Sequence, residues 1–241
     1  MNISSCLSSL SRQSIVASNY SRFRRAHIAM ASISNSYAGT SSEDSECSAH
    51  AYILIDPVHI AVIGGTGLQT LPGFTQVASL DVETPWGKPS SPIGVLHHPS
   101  PTTGKPFPIA FLSRHGVHHE LAPHEVPTRA NIAALRSIGV RTIIAFSAVG
   151  SLREEIKPRD FVVPDQIIDR TKGIRPFTFF EDGMVGHVMF ADPFDGALAK
   201  VVQICGHTLE GEGVRLHDKG TVVCMGMERP QLARSIRCYR C

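Results

Sequence analysis

Three short runs in this chain of 241 residues set polar, anion-binding groups directly after apolar segments. The first is His59-Ile60-Ala61-Val62-Ile63, which ends on Gly64-Gly65-Thr66-Gly67. Glycines at a strand's end let successive backbone N–H groups converge on an anion, and Thr66 adds a hydroxyl donor. The dinucleotide fingerprint needs a third glycine where Thr70 stands, and no G-K-[ST] follows as a P-loop requires. An anion cradle outside those two classes and a plain tight turn are the readings left.

The second run is Ser113-Arg114-His115-Gly116-Val117-His118-His119-Glu120. Arginine offers a planar fork suited to phosphate or carboxylate, and the adjacent histidine offers a second donor. Four histidines (His115, His118, His119 and His124) lie close enough to raise a metal site. His119-Glu120 opens like H-E-x-x-H, but His124 falls one residue too far along for the same helical face. Gly116 and Pro123 also disfavour the rigid helix that such a zinc site uses. A solvated, histidine-rich loop is the better account of His118, His119 and His124.

The third run, Ala145-Phe146-Ser147-Ala148-Val149-Gly150-Ser151, again passes from apolar residues into small ones. Ser147 could donate to the same anion as Thr66. A hydrolase nucleophile would need G-x-S-x-G, whereas Ser147 is flanked by Phe146 and Ala148. Ser151-Leu152-Arg153-Glu154 has the form of a capping box, so Ser151 carries a structural reading as well.

These groups need a scaffold of strands. His59–Ile63, Ile109–Ser113, Thr142–Ser147, Phe161–Val163 and Thr221–Cys224 are the candidate strands. Two helices are expected between them. One runs from Pro127 to Ile138, with proline at its opening and Gly139 at its end. The other starts at Asp192-Pro193, lines Leu198, Val201, Val202, Cys205 and Leu209 along one face, and stops at Gly211. Strands alternating with helices predict an α/β fold, with a mixed, mostly parallel sheet covered by helices.

Composition narrows the classes further. Hydrophobic residues make up 42% and charged residues 18%, and the net charge is +2. With no basic stripe in the middle of the chain, a nucleic-acid partner is not expected. No apolar stretch reaches the roughly 18 residues of a membrane helix, so no membrane partner is expected either. Cys6, Cys47, Cys205, Cys224, Cys238 and Cys241 are scattered, which predicts free thiols in a reducing compartment. Cys238 and Cys241 form a lone C-x-x-C, read as chance spacing.

Residues 1–56 form a leader distinct from the rest of the chain. Its serines, together with Arg12, Arg22, Arg24 and Arg25 and no acid before Glu43, give it the composition of a transit peptide. A disordered leader, with Met30 as the working start, is favoured over mitochondrial targeting. Residues 57–225 carry the patterned domain, and residues 226–241 a divergent tail with Arg229, Arg234, Arg237 and Arg240.

In order, the patterned stretches are Ile60–Leu68 (IAVIGGTGL), Thr84–Ser90 (TPWGKPS), Ser113–Gly116 (SRHG) and Arg129–Leu135 (RANIAAL). They continue as Ser147–Pro158 (SAVGSLREEIKP), Asp165–Thr171 (DQIIDRT), His187–Phe194 (HVMFADPF) and Lys219–Met225 (KGTVVCM). Together they resemble the methylthioadenosine phosphorylase branch of the purine nucleoside phosphorylases. The resemblance covers about residues 57–225, and RHG and GSLREE match this branch rather than the one that cleaves inosine and guanosine.

The resemblance implies a pentosyltransferase that phosphorolyses methylthioadenosine to adenine and methylthioribose 1-phosphate in methionine salvage. It implies a homotrimer in the cytoplasm, with the nucleus as a second setting. Inorganic phosphate is then a co-substrate, and no cofactor or metal is expected. Thr66, Arg114, His115, Ser147 and Ala148 are implied as phosphate contacts, and His187 as a histidine lent to the neighbouring subunit's pocket. Ser147 stands where threonine is common and Thr128 where tyrosine is common. The family's purine-binding aspartates and ribose-contacting methionine are not matched after Met225, and Glu228 has the wrong neighbours for the family's glutamate. The catalytic acid is therefore unassigned, and the chain as written is expected to be nearly inactive. A phosphorylase for inosine or guanosine and a non-catalytic fragment are the alternatives.

Overall fold

The protein is described by a computed structural model, which covers residues 58–66, 68–100 and 103–226. The leader and nearly all of the basic tail lie outside the described residues. Five strands make the main sheet, in the order β2-β3-β4-β1-β5. They are β1 (Ile60–Gly64), β2 (Thr75–Leu80), β3 (Ile93–Pro99), β4 (Pro106–Ser113) and β5 (Thr142–Ala145).

Strand β1 is a continuous apolar run because it has no solvent side: parallel partners flank it on both edges, β4 and β5, and Ala61, Val62 and Ile63 are buried. Strands β3 and β4 pair antiparallel, as do β2 and β3, so the sheet is mixed. Pairing of β1 with β4 begins at Ala61 opposite Ala110. Pro106 and Pro108 thus fall where β4 has a partner on one side only, a position that tolerates a missing N–H. The register shift between Gln76 and Ala78 breaks the regularity of β2, an edge strand whose ladder would otherwise be open.

The two expected helices are present. Helix α1 spans Thr128–Ser137 and buries Ala130, Asn131, Ala134 and Leu135. Gly139 ends it at φ +103°, while the N–H groups of Gly139 and Val140 close on Arg136 O and Leu135 O. Helix α2 spans Gly196–Ile204 and tightens into a 3₁₀ turn at Cys205–Thr208. Its cap is Asp195, not Asp192: the Asp195 carboxylate accepts the N–H of Leu198 at 2.7 Å, three residues on, where a first-turn donor is orphaned. The expected stripe is correct, since Val201 and Cys205 are buried. Val201 and Leu198 pack against Val62, Leu96, Ile109 and Phe111 on one face of the main sheet.

Further along, β6 (Phe161–Val162) pairs with β8 (Leu216–His217), and β7 (Gln166–Arg170) pairs with β9 (Thr221–Met225). Both pairs are parallel and stand apart from the main sheet as two-stranded units. Parallel pairings thus outnumber antiparallel ones, as expected. The supposed capping box at Ser151 opens no helix. Ser151 Oγ instead accepts the N–H of Arg153 and donates to Arg153 O, a local turn that competes with helix formation.

Asp160 anchors the small β6–β8 pair. Its side chain is 3% exposed and accepts from His217 Nε2 at 2.9 Å, Lys157 N at 3.1 Å and Arg215 N at 3.1 Å. The bond from His217, and then the two backbone donors, lower its pKa from 3.8 to about 2. A depressed carboxylate stabilises the fold fully above its unfolded pKa and loses that contribution as pH falls through the folded value. Asp160→Asn should therefore lower Tm at pH 7 by on the order of a few degrees. It should also flatten the acid loss of stability between about pH 4 and pH 2. Melting curves across that range check it, and identical acid profiles would remove Asp160 as an anchor.

Candidate active site

Because β1 runs parallel to both neighbours, β4, β1 and β5 all release the chain at one end of the sheet. The register sets Gly64 beside Ser113 and Ile63 beside Ala145. Crevices beyond the carboxyl ends of parallel strands are where open α/β sheets bind ligands. Gly65-Thr66, Arg114-His115 and Phe146-Ser147-Ala148 follow those three ends directly, so five of the six expected contacts gather there.

Backbone bonds lock the three loops together. Arg114 N donates to Gly64 O at 3.2 Å, and Phe146 N donates to Ile63 O at 3.0 Å. The half-buried Arg114 side chain reaches across β1: its Nη1 donates to Phe146 O at 2.6 Å. Gly65 is what makes room for it, since a Cβ there would fall 2.6 Å from Cζ and 2.7 Å from Nη1 of Arg114. Thr66, Ser147 and Ala148 are exposed at the mouth of this cluster. Their hydroxyl and backbone groups are open to a ligand, and the guanidinium lies deeper.

His115 is 7% exposed, and its ring is engaged at both nitrogens. Nδ1 lies 2.9 Å from Leu121 O, which can only accept, so Nδ1 carries the proton. Nε2 then receives Arg114 Nε–H at 3.2 Å. In this arrangement the imidazole is a brace that orients the arginine fork. Its ring packs at a tilt against that of His119, with ring centroids 4.7 Å apart. With both nitrogens committed, His115 has neither left for a metal ion; among the described residues no three His, Cys, Asp or Glu side chains are grouped to hold one. Burial first, and then the like charge of Arg175, hold Arg114 below its ordinary affinity for protons.

His187 is not drawn into this cluster. It stands on an exposed, irregular run covering residues 176–191. The first part of that run is fastened by an edge-on contact of Phe179 with Trp86 and by the ion pair of Glu181 with Arg129 on α1. Sequence reasoning missed two participants: the Phe146 carbonyl and the clearance at Gly65. A carbonyl leaves no trace in residue type, but a glycine directly after a buried strand is a readable signal of close approach.

On this mixed α/β sheet, the model of the phosphorylase superfamily matches residues 59–237. The chain belongs to the phosphorylase superfamily. Within it, the chain is similar to the S-methyl-5'-thioadenosine phosphorylase of Phaeosphaeria nodorum, 77% identical over 73% of this chain and 51% of that protein. The enzyme of the same name from Emericella nidulans is 75% identical over 74% of this chain and 49% of its own. The chain thus spans about half the length of these curated relatives. Among solved structures, a methylthioadenosine phosphorylase from an antarctic soil metagenomic library superposes with a TM-score of 0.69 at 41% identity, covering 77% of this chain and 62% of that one. A Schistosoma mansoni adenosine/methylthioadenosine phosphorylase variant, solved with methylthioadenosine, gives 0.67 at 28% identity over 76% and 68%. Among the described residues no helix is long and apolar enough to cross a membrane.

Proposed function

We propose that this chain carries the phosphate-binding part of a methylthioadenosine phosphorylase site, and that its reaction is phosphorolysis of methylthioadenosine to adenine and methylthioribose 1-phosphate. The observation that carries this reading is the Arg114 guanidinium, held by Phe146 O and His115 Nε2 at the strand ends that Thr66 and Ser147 also follow. High identity to enzymes of that name supports the substrate.

In the proposed step a phosphate oxygen attacks C1' of the ribosyl group as the glycosidic bond to the purine breaks. The bonding pair leaves with the purine, which gains a proton. Arg114, Thr66, Ser147 and the Ala148 backbone hold the dianion against the developing positive charge on the sugar. Such fixed donors act strongly in a site where they need no reorganisation. His115 contributes by holding the fork of Arg114 in one plane. No cofactor enters this scheme.

Association into a homotrimer, with His187 lent to a neighbour, belongs to the same proposal. Its support is the apolar surface around that histidine: Phe177 is 75% exposed and Met189 89%. A cytoplasmic setting is proposed alongside, supported by the free thiols Cys205 and Cys224.

The test is product identity. Adenine released from methylthioadenosine should be matched by an equal amount of methylthioribose 1-phosphate and should require added phosphate. Adenine released without phosphate, with free methylthioribose as the partner product, would replace this reading by hydrolysis.

A further inference from the structure

Arg114 and His115 are the central residues of a turn closed by Gly116 N on Ser113 O, at 3.1 Å. The turn starts where β4 stops pairing with β3. Their ladder pairs Gly94 with Phe111, and the same register followed outward sets Pro92 opposite Ser113. Arg114 N points to Gly64 O on β1, so Ser113 N points the other way, toward β3. A residue opposite Ser113 would ordinarily exchange N–H and carbonyl groups with it. Pro92 has no N–H to give, and Ser113 O accepts Gly116 instead.

Ser91 takes over the other half of that exchange. Its hydroxyl accepts Ser113 N at 3.1 Å and donates to Pro92 O at 3.1 Å, standing between the two groups that a continued ladder would join. Ser91 is 5% exposed, so deleting the hydroxyl would leave Ser113 N short of a partner where water is scarce. The adjoining residue is fastened to α1. Asn131, 3% exposed, accepts Ser90 N at 2.7 Å through Oδ1 and donates from Nδ2 to Ser90 Oγ at 2.8 Å. An amide side chain offers the acceptor and the donor together. A polar relay thus runs from α1 through Ser90 and Ser91 to the backbone N–H beside Arg114.

We propose that Ser91 and Pro92, fastened through Ser90 to Asn131, are positioning residues of the anion site: they end the β3–β4 ladder at Ser113 and so hold the turn that aims Arg114 and His115. They act through Arg114 and not on the anion itself. This assignment rests on the phosphate reading of the cradle and adds to it the device that sets the arginine's direction.

The test is calorimetric titration of inorganic phosphate into the full chain and its variants, each held below its own melting transition. Ser91→Ala should weaken phosphate binding by on the order of tenfold, since small misplacements of a binding group are costly. Ser91→Thr should recover most of that loss, because the hydroxyl returns. Introduced together with Arg114→Ala, Ser91→Ala should add little further loss, because residues acting through one another are not additive. Pro92→Ala deletes no hydrogen bond at an exposed position, yet it gives β3 an N–H that competes with Gly116 for Ser113 O. It should therefore weaken phosphate binding severalfold with the fold retained, and it decides the matter if Ser91→Ala does not fold. Unchanged affinity in folded Ser91→Ala or Pro92→Ala would overturn the assignment. The same would follow if Ser91→Ala cost the full factor in the Arg114→Ala background. Either result leaves the phosphate reading standing, whereas no saturable phosphate binding by the unsubstituted chain would remove both.

Discussion

Arg114→Ala should weaken phosphate binding by about 2–4 kcal/mol, as for truncation of a desolvated charged donor, or roughly 30- to 1000-fold. The loss has two parts. The departing guanidinium is the charged group at the heart of the cradle, and its removal strips Phe146 O and His115 Nε2 of their donor. The fold should tolerate the change, because the side chain's own contacts are polar and lie beyond the strand ends. The check is phosphate titration together with a melting curve. Full affinity in a normally folded variant would take Arg114 out of the site; a collapsed melt would show it to be structural instead.

Gly65→Ala should reach a comparable loss of phosphate affinity without touching a donor. The added methyl falls where Arg114 Cζ and Nη1 now stand, at 2.6 and 2.7 Å. A guanidinium is the far end of a flexible side chain, so it will swing aside at little cost in stability. Swinging aside breaks the bond to Phe146 O and misaims the fork, and a displacement of about 1 Å at such a site can cost on the order of a hundredfold. Expected together are a nearly unchanged Tm and a large rise in Kd for phosphate. A large fall in Tm with unchanged affinity would mean that Gly65 serves the turn rather than the arginine. Gly64 would behave differently, since a Cβ there would meet the backbone oxygen of Leu68 and the Phe111 ring.

The centre of this fold was legible in the chain for a physical reason. Strand β1 is buried on both sides, which demands an unbroken apolar run, and Gly65 just past its end gives the arginine its clearance. The same holds for the end of β4, while β5 is a half-buried edge strand whose Ile143-Ile144-Ala145 still reads as apolar. Strands β2 and β3 were not legible: Thr75–Leu80 is a mostly exposed edge, and Ile93–Pro99 interrupts its apolar residues with Gly94, His97 and His98. Neither presents a continuous run. At α2 the dipeptide Asp192-Pro193 imitated a cap, yet capping is decided by whose carboxylate reaches an orphaned N–H, and that is Asp195. Five of the six expected contacts lie together because each follows closely on the end of a strand of the main sheet. The Phe146 carbonyl that holds Arg114 was not legible, because a backbone oxygen leaves no trace in residue type.

The most direct test of the account is diffraction from crystals of this chain grown with inorganic phosphate. Density for one tetrahedral anion is predicted at the ends of β1, β4 and β5, within hydrogen-bond reach of the Arg114 guanidinium and the Thr66 and Ser147 hydroxyls. Phosphate seated away from those three strand ends, with the Arg114 fork still turned only to Phe146 O and His115, would contradict it.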